Sequence, residues 1–417
     1  MTMPSPSLPQ LQAALFVNPA FASAEAYGAE RAHILNQEAL ATARVAIARW
    51  PGHAPTPLCG LPALARELGV AALDYKDEGG RFGLGSFKAL GGAYAVGRQL
   101  CRALSQRLGR AIGLEELPAL RAQCADITVT CATDGNHGRS VAWGARMFGC
   151  RCVIYIHATV SEGRRAAIAA YGAEVVRTRG NYDDAVQQAD RDARAQGWFV
   201  ISDTSYPGYM DVPRDVMQGY QVMVEEAVGQ LERQGRPWPT HIFVQAGVGG
   251  FAAAVCAYFW EHARPGEARP VFVVVEPERA DCLMRSARAG RVTAVTGDLD
   301  TLMAGLACGE VSLLAWEILE RGATAFCNIA DDSAVAVMRL LAHPLPGDPV
   351  IVAGESAVAG LAAAIAVAQD PAQRTALGID HESRLLFFGS EADTDPALYE
   401  QLVGTSAAKI READERD

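Results

Sequence analysis

The sequence has no CxxC pair. Its ten cysteines stand singly or, at closest, as Cys150 and Cys152, so neither a zinc site nor any other metal site is expected. No apolar run reaches the roughly 18 residues that a membrane span requires. The first residues, Met1 to Gln10, are rich in Pro and Ser and lack the basic start of a secretory signal. Basic charge is also in deficit: 37 Lys and Arg face 48 Asp and Glu, for a net charge of -11. That balance argues against a nucleic-acid partner and against an anionic membrane surface. No internal repeat is found. What remains is a cytoplasmic globular protein with reduced, buried thiols, such as Cys256 within Ala253-Ala254-Val255-Cys256-Ala257.

A chain of 417 residues, 50% hydrophobic and 20% charged, has ordinary globular composition and the length of two domains or one two-lobed enzyme. It can bury a large core without covalent staples. The charged end, Ile410 to Asp417, reads as a frayed helix terminus.

Along the chain, short apolar runs alternate with Ala-rich segments of helical period. The expected strands are Ile127–Cys131, Arg151–Ile156, Glu174–Thr178, Trp198–Ile201, His241–Gln245, Val271–Glu276, Pro349–Ala353 and Ser383–Phe388. The expected helices between them include Gly138–Phe148, Glu162–Tyr171, Tyr182–Ala195 and Gly249–Glu261. Such alternation predicts an α/β architecture with mostly parallel sheets. The unbroken run Val271-Phe272-Val273-Val274-Val275 is what a strand covered on both faces looks like.

Four segments carry chemistry. In Asp77 to Tyr94 a glycine-rich loop ends at Ser86-Phe87-Lys88 before a helix-like stretch. A lysine among apolar residues can lose its proton and form a Schiff base, although lysines after flexible loops are mostly exposed. Thr133-Asp134-Gly135-Asn136-His137-Gly138 follows an expected strand and precedes an expected helix. That position lies at the carboxyl edge of a parallel sheet, where ligands bind. Asn136 can hydrogen-bond a phenolic oxygen and Asp134 can act as a base; an N-cap and tight turn explain the same residues without a ligand.

In Gln245-Ala246-Gly247-Val248-Gly249-Gly250-Phe251-Ala252 the backbone amides and the following helix N-terminus make an anion site. This segment also satisfies the dinucleotide-binding pattern, with Glu276 ending the next strand as a ribose-binding acid would. A dinucleotide oxidoreductase is therefore the rival reading. It leaves Lys88 and the Asp134 segment without a role. The fourth segment, Phe388-Gly389-Ser390-Glu391, places a hydroxyl after the last strand.

These four segments, in this order, resemble the fold-type II pyridoxal-phosphate (PLP) enzymes, the family of the tryptophan synthase β chain and the serine/threonine dehydratases. Within it the resemblance is closest to the diaminopropionate ammonia-lyases and spans about Leu15 to Glu412. Asp203-Thr204-Ser205-Tyr206-Pro207-Gly208-Tyr209, then Met217-Gln218-Gly219-Tyr220, Met303 to Glu310, and Asp393-Thr394-Asp395-Pro396 add to it. So do Asp134, where the dehydratases place a small neutral residue, and Leu90, where they tend to carry Arg. Gly-Ser-Phe-Lys in place of Asn-Ala-Phe-Lys, and Glu391-Ala392 in place of Glu-Gly, are departures that bear on fine substrate preference.

The resemblance implies two open, twisted, mostly parallel sheets flanked by helices, with PLP in the cleft between a large and a small domain. We expect the large domain at 1–90 and 215–417 and a smaller inserted domain at 91–214. The resemblance makes Lys88 the cofactor-bearing lysine and Phe87 its ring-stacking neighbour. It gives Asn136 the cofactor's O3′, Gly247, Val248, Gly249 and Gly250 the phosphate, and Ser390 the pyridine nitrogen. It places Asp203, Thr133 and His137 at the substrate, and it pairs Asp134 with Lys88 as bases for opposite enantiomers. The implied reaction is α,β-elimination of D- and/or L-2,3-diaminopropionate to pyruvate and two ammonia, by a homodimer. A dehydratase-like lyase acting on serine, threonine or another β-substituted amino acid is the alternative. A third class is a silent regulator that binds PLP without turnover.

Overall fold

The computed structural model describes residues 8–133, 135–263, 268–297 and 299–414. The chain forms two compact units. The larger comprises Met1–His33, Pro55–Gly80 and Val224–Asp417, and the smaller comprises Ile34–Ala54 and Arg81–Met223. In chain order the strands are β1 (Ala13–Val17), β2 (Leu58–Gly60), β3 (Ala72–Asp77), β4 (Thr128–Ala132), β5 (Arg151–Ile156), β6 (Glu174–Arg177), β7 (Phe199–Val200), β8 (His241–Gln245), β9 (Val271–Pro277), β10 (Ala325–Ile329) and β11 (Arg384–Gly389).

The larger unit holds a seven-stranded sheet in the order β1-β10-β9-β8-β11-β3-β2. Its five central strands run parallel, with Gln245 opposite Val275 and Phe388 opposite Lys76. The two edge strands, β1 and β2, are antiparallel to their neighbours. Helices cover the sheet. Gly250–Glu261 and Ala359–Gln369 are apolar around nearly their whole circumference because they are buried on all sides. One continuous core joins the sheet to its helices, from Leu73 and Tyr75 through Phe243, Val273 and Val275 to Ile365 and Phe387.

The smaller unit holds a parallel four-stranded sheet in the order β6-β5-β4-β7. Its helices begin where their sequences offer caps. The Ser161 hydroxyl accepts from the Arg164 amide, and Asn181 and Asp184 satisfy each other's backbone amides as a capping box. The helix Ala89–Leu108, which starts directly after Lys88, packs against Asn136–Phe148 at very short range. A methyl group at Gly92 would fall 2.0 Å from the Ser140 hydroxyl, so only glycine permits this approach.

One expected strand is absent. Pro349–Ala353 runs as an irregular segment, with Ile351, Val352 and Ala353 buried. Its amides leave the sheet direction: Ile351 N–H donates to Leu341 O at 2.9 Å. The apolar run reflects burial, which serves a core loop as well as a strand. The charged terminus, expected as a helix end, closes the helix Ala407–Asp414.

Candidate active site

Lys88 stands at the junction of the glycine-rich loop and the helix Ala89–Leu108. The loop is held by packing. Phe82 takes a left-handed backbone (φ 53°), unfavourable for a residue with a side chain, and its ring lies 4.9 Å from Trp143 and 5.9 Å from Trp50. Arg81, fully buried, donates to Ala54 O at 3.1 Å. At the end of this loop Lys88 Nζ donates to Asp203 Oδ2 at 2.9 Å. The amine sits over two rings, 5.5 Å from the centroid of Phe87 and 5.7 Å from that of Tyr220. Those rings pack on each other at 4.6 Å.

Asp203 is carried by the loop after β7. That loop is pinned by Tyr209, whose hydroxyl donates to Val200 O at 2.8 Å and accepts from Ser202 N at 3.0 Å. Burial pushes the Asp203 carboxyl up. The Lys88 ammonium and its hydrogen bond outweigh it and hold Asp203 well below the usual carboxylate range.

The second sequence segment follows β4. Thr133 is buried, and its hydroxyl oxygen accepts from the amides of Gly135 (3.0 Å) and Gly138 (3.1 Å), shaping the turn that starts the helix. Asn136 is the first residue of that helix. His137 Nε2 meets Ile201 O at 2.7 Å. A carbonyl only accepts, so Nε2 carries the proton and Nδ1 keeps a lone pair. Nδ1 is buried and has no partner among the described residues. Burial pushes the imidazole pKa down against the pull of Asp203, which keeps the ring neutral. Asp134 lies outside the described residues.

In the larger unit, β8 ends in the glycine loop. Gly249 adopts φ 98°, a backbone closed to side chains, and the helix Gly250–Glu261 starts at once. Among the described residues, nothing accepts from the amides of Gly247, Val248, Gly249 or Gly250. Gly249 and Gly250 are buried and Gly247 and Val248 half-buried, and amides left without an acceptor there form, with the helix N-terminus, an anion cradle. Ser390, directly after β11, is buried, and its Oγ accepts from Gln245 Nε2 at 2.9 Å. Sequence reasoning gave Gln245 no role. The available signal was a polar side chain closing a strand buried at every position.

The structure disposes of the dinucleotide reading of this loop. Glu276 is fully buried, and its two oxygens accept from Leu283 N and Met284 N, each at 2.8 Å. It caps the helix Cys282–Ala289 and has no oxygen free for a ribose.

Residues 49–379 match the model of the family described as "Pyridoxal-phosphate dependent enzyme". The diaminopropionate ammonia-lyase of Escherichia coli (strain K12) is 38% identical over 380 residues, 90% of this chain and 94% of that protein. The diaminopropionate ammonia-lyase of Salmonella typhimurium (strain LT2) is 40% identical over 364 residues, 85% and 89% of the two chains. Among solved structures, the Escherichia coli diaminopropionate ammonia lyase "in complex with aminoacrylate-PLP azomethine reaction intermediate" superposes with a TM-score of 0.84 at 36% identity, covering 95% of this chain and 98% of that one. The residues present fit such a cofactor. A lysine lies against two aromatic rings, four unbonded amides meet at a helix N-terminus, and a buried serine follows the last strand. The chain belongs to the pyridoxal-phosphate dependent enzyme family, with the fold-type II architecture, and groups within it with the diaminopropionate ammonia-lyases.

Proposed function

We propose that this chain catalyses the α,β-elimination of 2,3-diaminopropionate, as the D form, the L form or both, adding one water to release pyruvate and two ammonia. The observation that carries the reading is the 2.9 Å pair of Lys88 Nζ and Asp203 Oδ2. It sets a strongly ionised carboxylate beside the one lysine suited to hold PLP. When bound, the cofactor supplies an electron sink that acidifies the substrate Cα–H.

Lys88 anchors the cofactor and Phe87 backs its ring. Asn136 meets its phenolic oxygen, the amides of Gly247, Val248, Gly249 and Gly250 hold its phosphate, and Ser390 faces its ring nitrogen. Lys88 takes the Cα proton from one face of the substrate, and Asp134 takes it from the other. Asp203 keeps the β-nitrogen protonated by a charge-assisted hydrogen bond. The C–N bonding electrons then leave with that nitrogen as neutral ammonia. Thr133 and His137 border the same substrate. The ten unpaired cysteines support a reducing, cytoplasmic setting, and a homodimer belongs to the same reading through family resemblance.

The test is pyruvate release from D- and L-2,3-diaminopropionate beside D- and L-serine. The diaminopropionates should give the higher kcat/KM. Equal or faster turnover of serine would replace this reading by a dehydratase-like one, and PLP binding without any turnover would leave a silent regulator.

A further inference from the structure

A buried glutamine behind the expected position of the cofactor ring has an arrangement that packing alone does not explain. Gln245, 1% exposed, closes β8 and turns its side-chain amide toward the end of β11. Its Nε2 lies 2.7 Å from Phe388 O, 3.5 Å from Ala357 O and 2.9 Å from Ser390 Oγ. Two of these neighbours are carbonyls, which only accept. The opposite amide orientation would set oxygen against oxygen, so chemistry fixes which end is the NH2.

The cost of this orientation is visible. Gln245 Oε1 is buried with no donor among the described residues. An unsatisfied buried acceptor destabilises a protein by about 1–3 kcal/mol. Ser390 then has an N–H directed at its oxygen, so its own hydrogen is turned away from Gln245. Ser390 is 6% exposed, and no described residue accepts that hydrogen. A buried hydroxyl with an uncommitted proton is a donor held ready for something outside the chain.

We propose that Gln245 is a positioning residue that fixes the direction of the Ser390 hydroxyl, so that Ser390 donates a hydrogen bond to the ring nitrogen of PLP and holds that nitrogen unprotonated. The inference rests on Ser390 facing that nitrogen. Donation requires a lone pair on the nitrogen, whereas a protonated ring would need an acceptor there. An unprotonated ring withdraws less charge from the reacting carbon, which suits an enzyme that must expel the β-group promptly and avoid side reactions such as amino-group transfer to the cofactor.

Three variants, each reconstituted with PLP labelled with 15N in the ring, test this by the 15N shift of the ring nitrogen and by the PLP dissociation constant. In Gln245→Glu the hydroxyl of the protonated acid takes the place of the NH2 group, and its one hydrogen goes to Phe388 O, which leaves a lone pair and no donor facing Ser390 Oγ. The serine hydrogen turns toward residue 245, and the ring 15N signal should move toward the protonated range. Gln245→Met removes both N–H groups with little change in volume. It should weaken PLP binding about tenfold, the equivalent of one hydrogen bond, and move the shift part of the way. Ser390→Ala reports on the underlying assignment and should move both readouts. If Ser390→Ala moves neither, Ser390 does not face the ring and the assignment fails along with the inference. If Ser390→Ala moves both while Gln245→Met keeps the wild-type shift and affinity, Ser390 stands and the role of Gln245 is refuted. Gln245→Met decides the matter even if Gln245→Glu does not fold. Loss of packing alone would weaken PLP without changing the protonation of its ring.

Discussion

Lys88 Nζ and Asp203 Oδ2 form an ion pair at 2.9 Å, with 19% and 23% of their side chains exposed. Their positions are 115 residues apart in sequence, and the contact arises because two different loops of the smaller unit deliver them to one point. A partly exposed pair of this kind is worth little as a fastener. Its significance is chemical: the carboxylate stays ionised beside a primary amine, and a substrate carrying a second ammonium group presents the same complement.

Reduction of the PLP-loaded enzyme with borohydride should fix the cofactor on Lys88 alone. The chain has only three lysines: Lys76, Lys88 and Lys409. Lys76 is fully buried in an ion pair with Glu226 at 2.8 Å, and Lys409 lies in the C-terminal helix. Peptide mapping should find the phosphopyridoxyl mass on the peptide holding Lys88. Lys88→Ala should lose the yellow absorbance and nearly all pyruvate release.

Asp203→Asn removes the anion and keeps the shape. A hydrogen bond to a charged group contributes about 1.5–3 kcal/mol, so KM for diaminopropionate should rise by about 10- to 100-fold. KM for serine, which lacks the second ammonium, should change far less. The folded-state pKa of Asp203 is held below its ordinary value. Its contribution to stability is therefore complete above the normal carboxylate pKa and declines only in more acid solution. Urea unfolding of the cofactor-free protein at pH 5 to 9 should show no acid limb belonging to this residue.

Asp134→Asn should depress kcat for the D substrate by at least tenfold more than for the L substrate, since general-base catalysis typically contributes about 10²–10⁴-fold. Parallel rate assays on the two enantiomers decide it. Equal losses would make Asp134 a binding group and remove the two-base scheme.

Glu276 is pushed up to about 8, first by burial and then by Asp281, against the amides of Leu283 and Met284. A carboxyl whose folded pKa is raised binds a proton on folding. Its stabilisation is complete below the unfolded value and is lost as pH rises toward about 8. Gln at this position does not titrate. The Tm advantage of wild type over Glu276→Gln should therefore shrink steadily from pH 5 to pH 8, a trend that scanning calorimetry at fixed ionic strength would register.

Arg236 clamps Asp74 with both guanidinium nitrogens, at 2.5 and 2.7 Å. The Asp74 side chain is 7% exposed. Arg236→Ala should strand a buried carboxylate and cost about 3 kcal/mol, a drop that urea unfolding would measure. Lys at this position keeps the charge but not the two-pronged geometry and should recover part of the loss.

The parallel framework was legible because its strands announce themselves. β5 and β8 match the expected limits, and β9 extends its expected run by one residue. Strands carrying charge were not legible. β3 reads Ala-Leu-Asp-Tyr-Lys-Asp and looks like a surface segment, yet Asp74 and Lys76 are buried beside Arg236 and Glu226. Only partners far away in sequence make that burial tolerable, and no local pattern reveals them. β1, β2 and β10 were also passed over, two of them being edge strands of three to five residues. The chemistry of Lys88 and of the glycine loop could be read from residue type and order. The 2.9 Å contact to Asp203 and the alignment of Gln245 on Ser390 depend on tertiary approach and became visible only in the fold.

The strand β1 has one more consequence. It pairs with β10 over five residues, from Ala13 opposite Ile329 to Val17 opposite Ala325, and so closes one border of the large sheet. A chain trimmed of this N-terminal ribbon would expose the backbone donors and acceptors of β10 in a regular row. Such a row is a template on which another copy can add its own strand. The ribbon Ala13–Val17 thus guards against aggregation by covering the side of β10 on which another copy could polymerise.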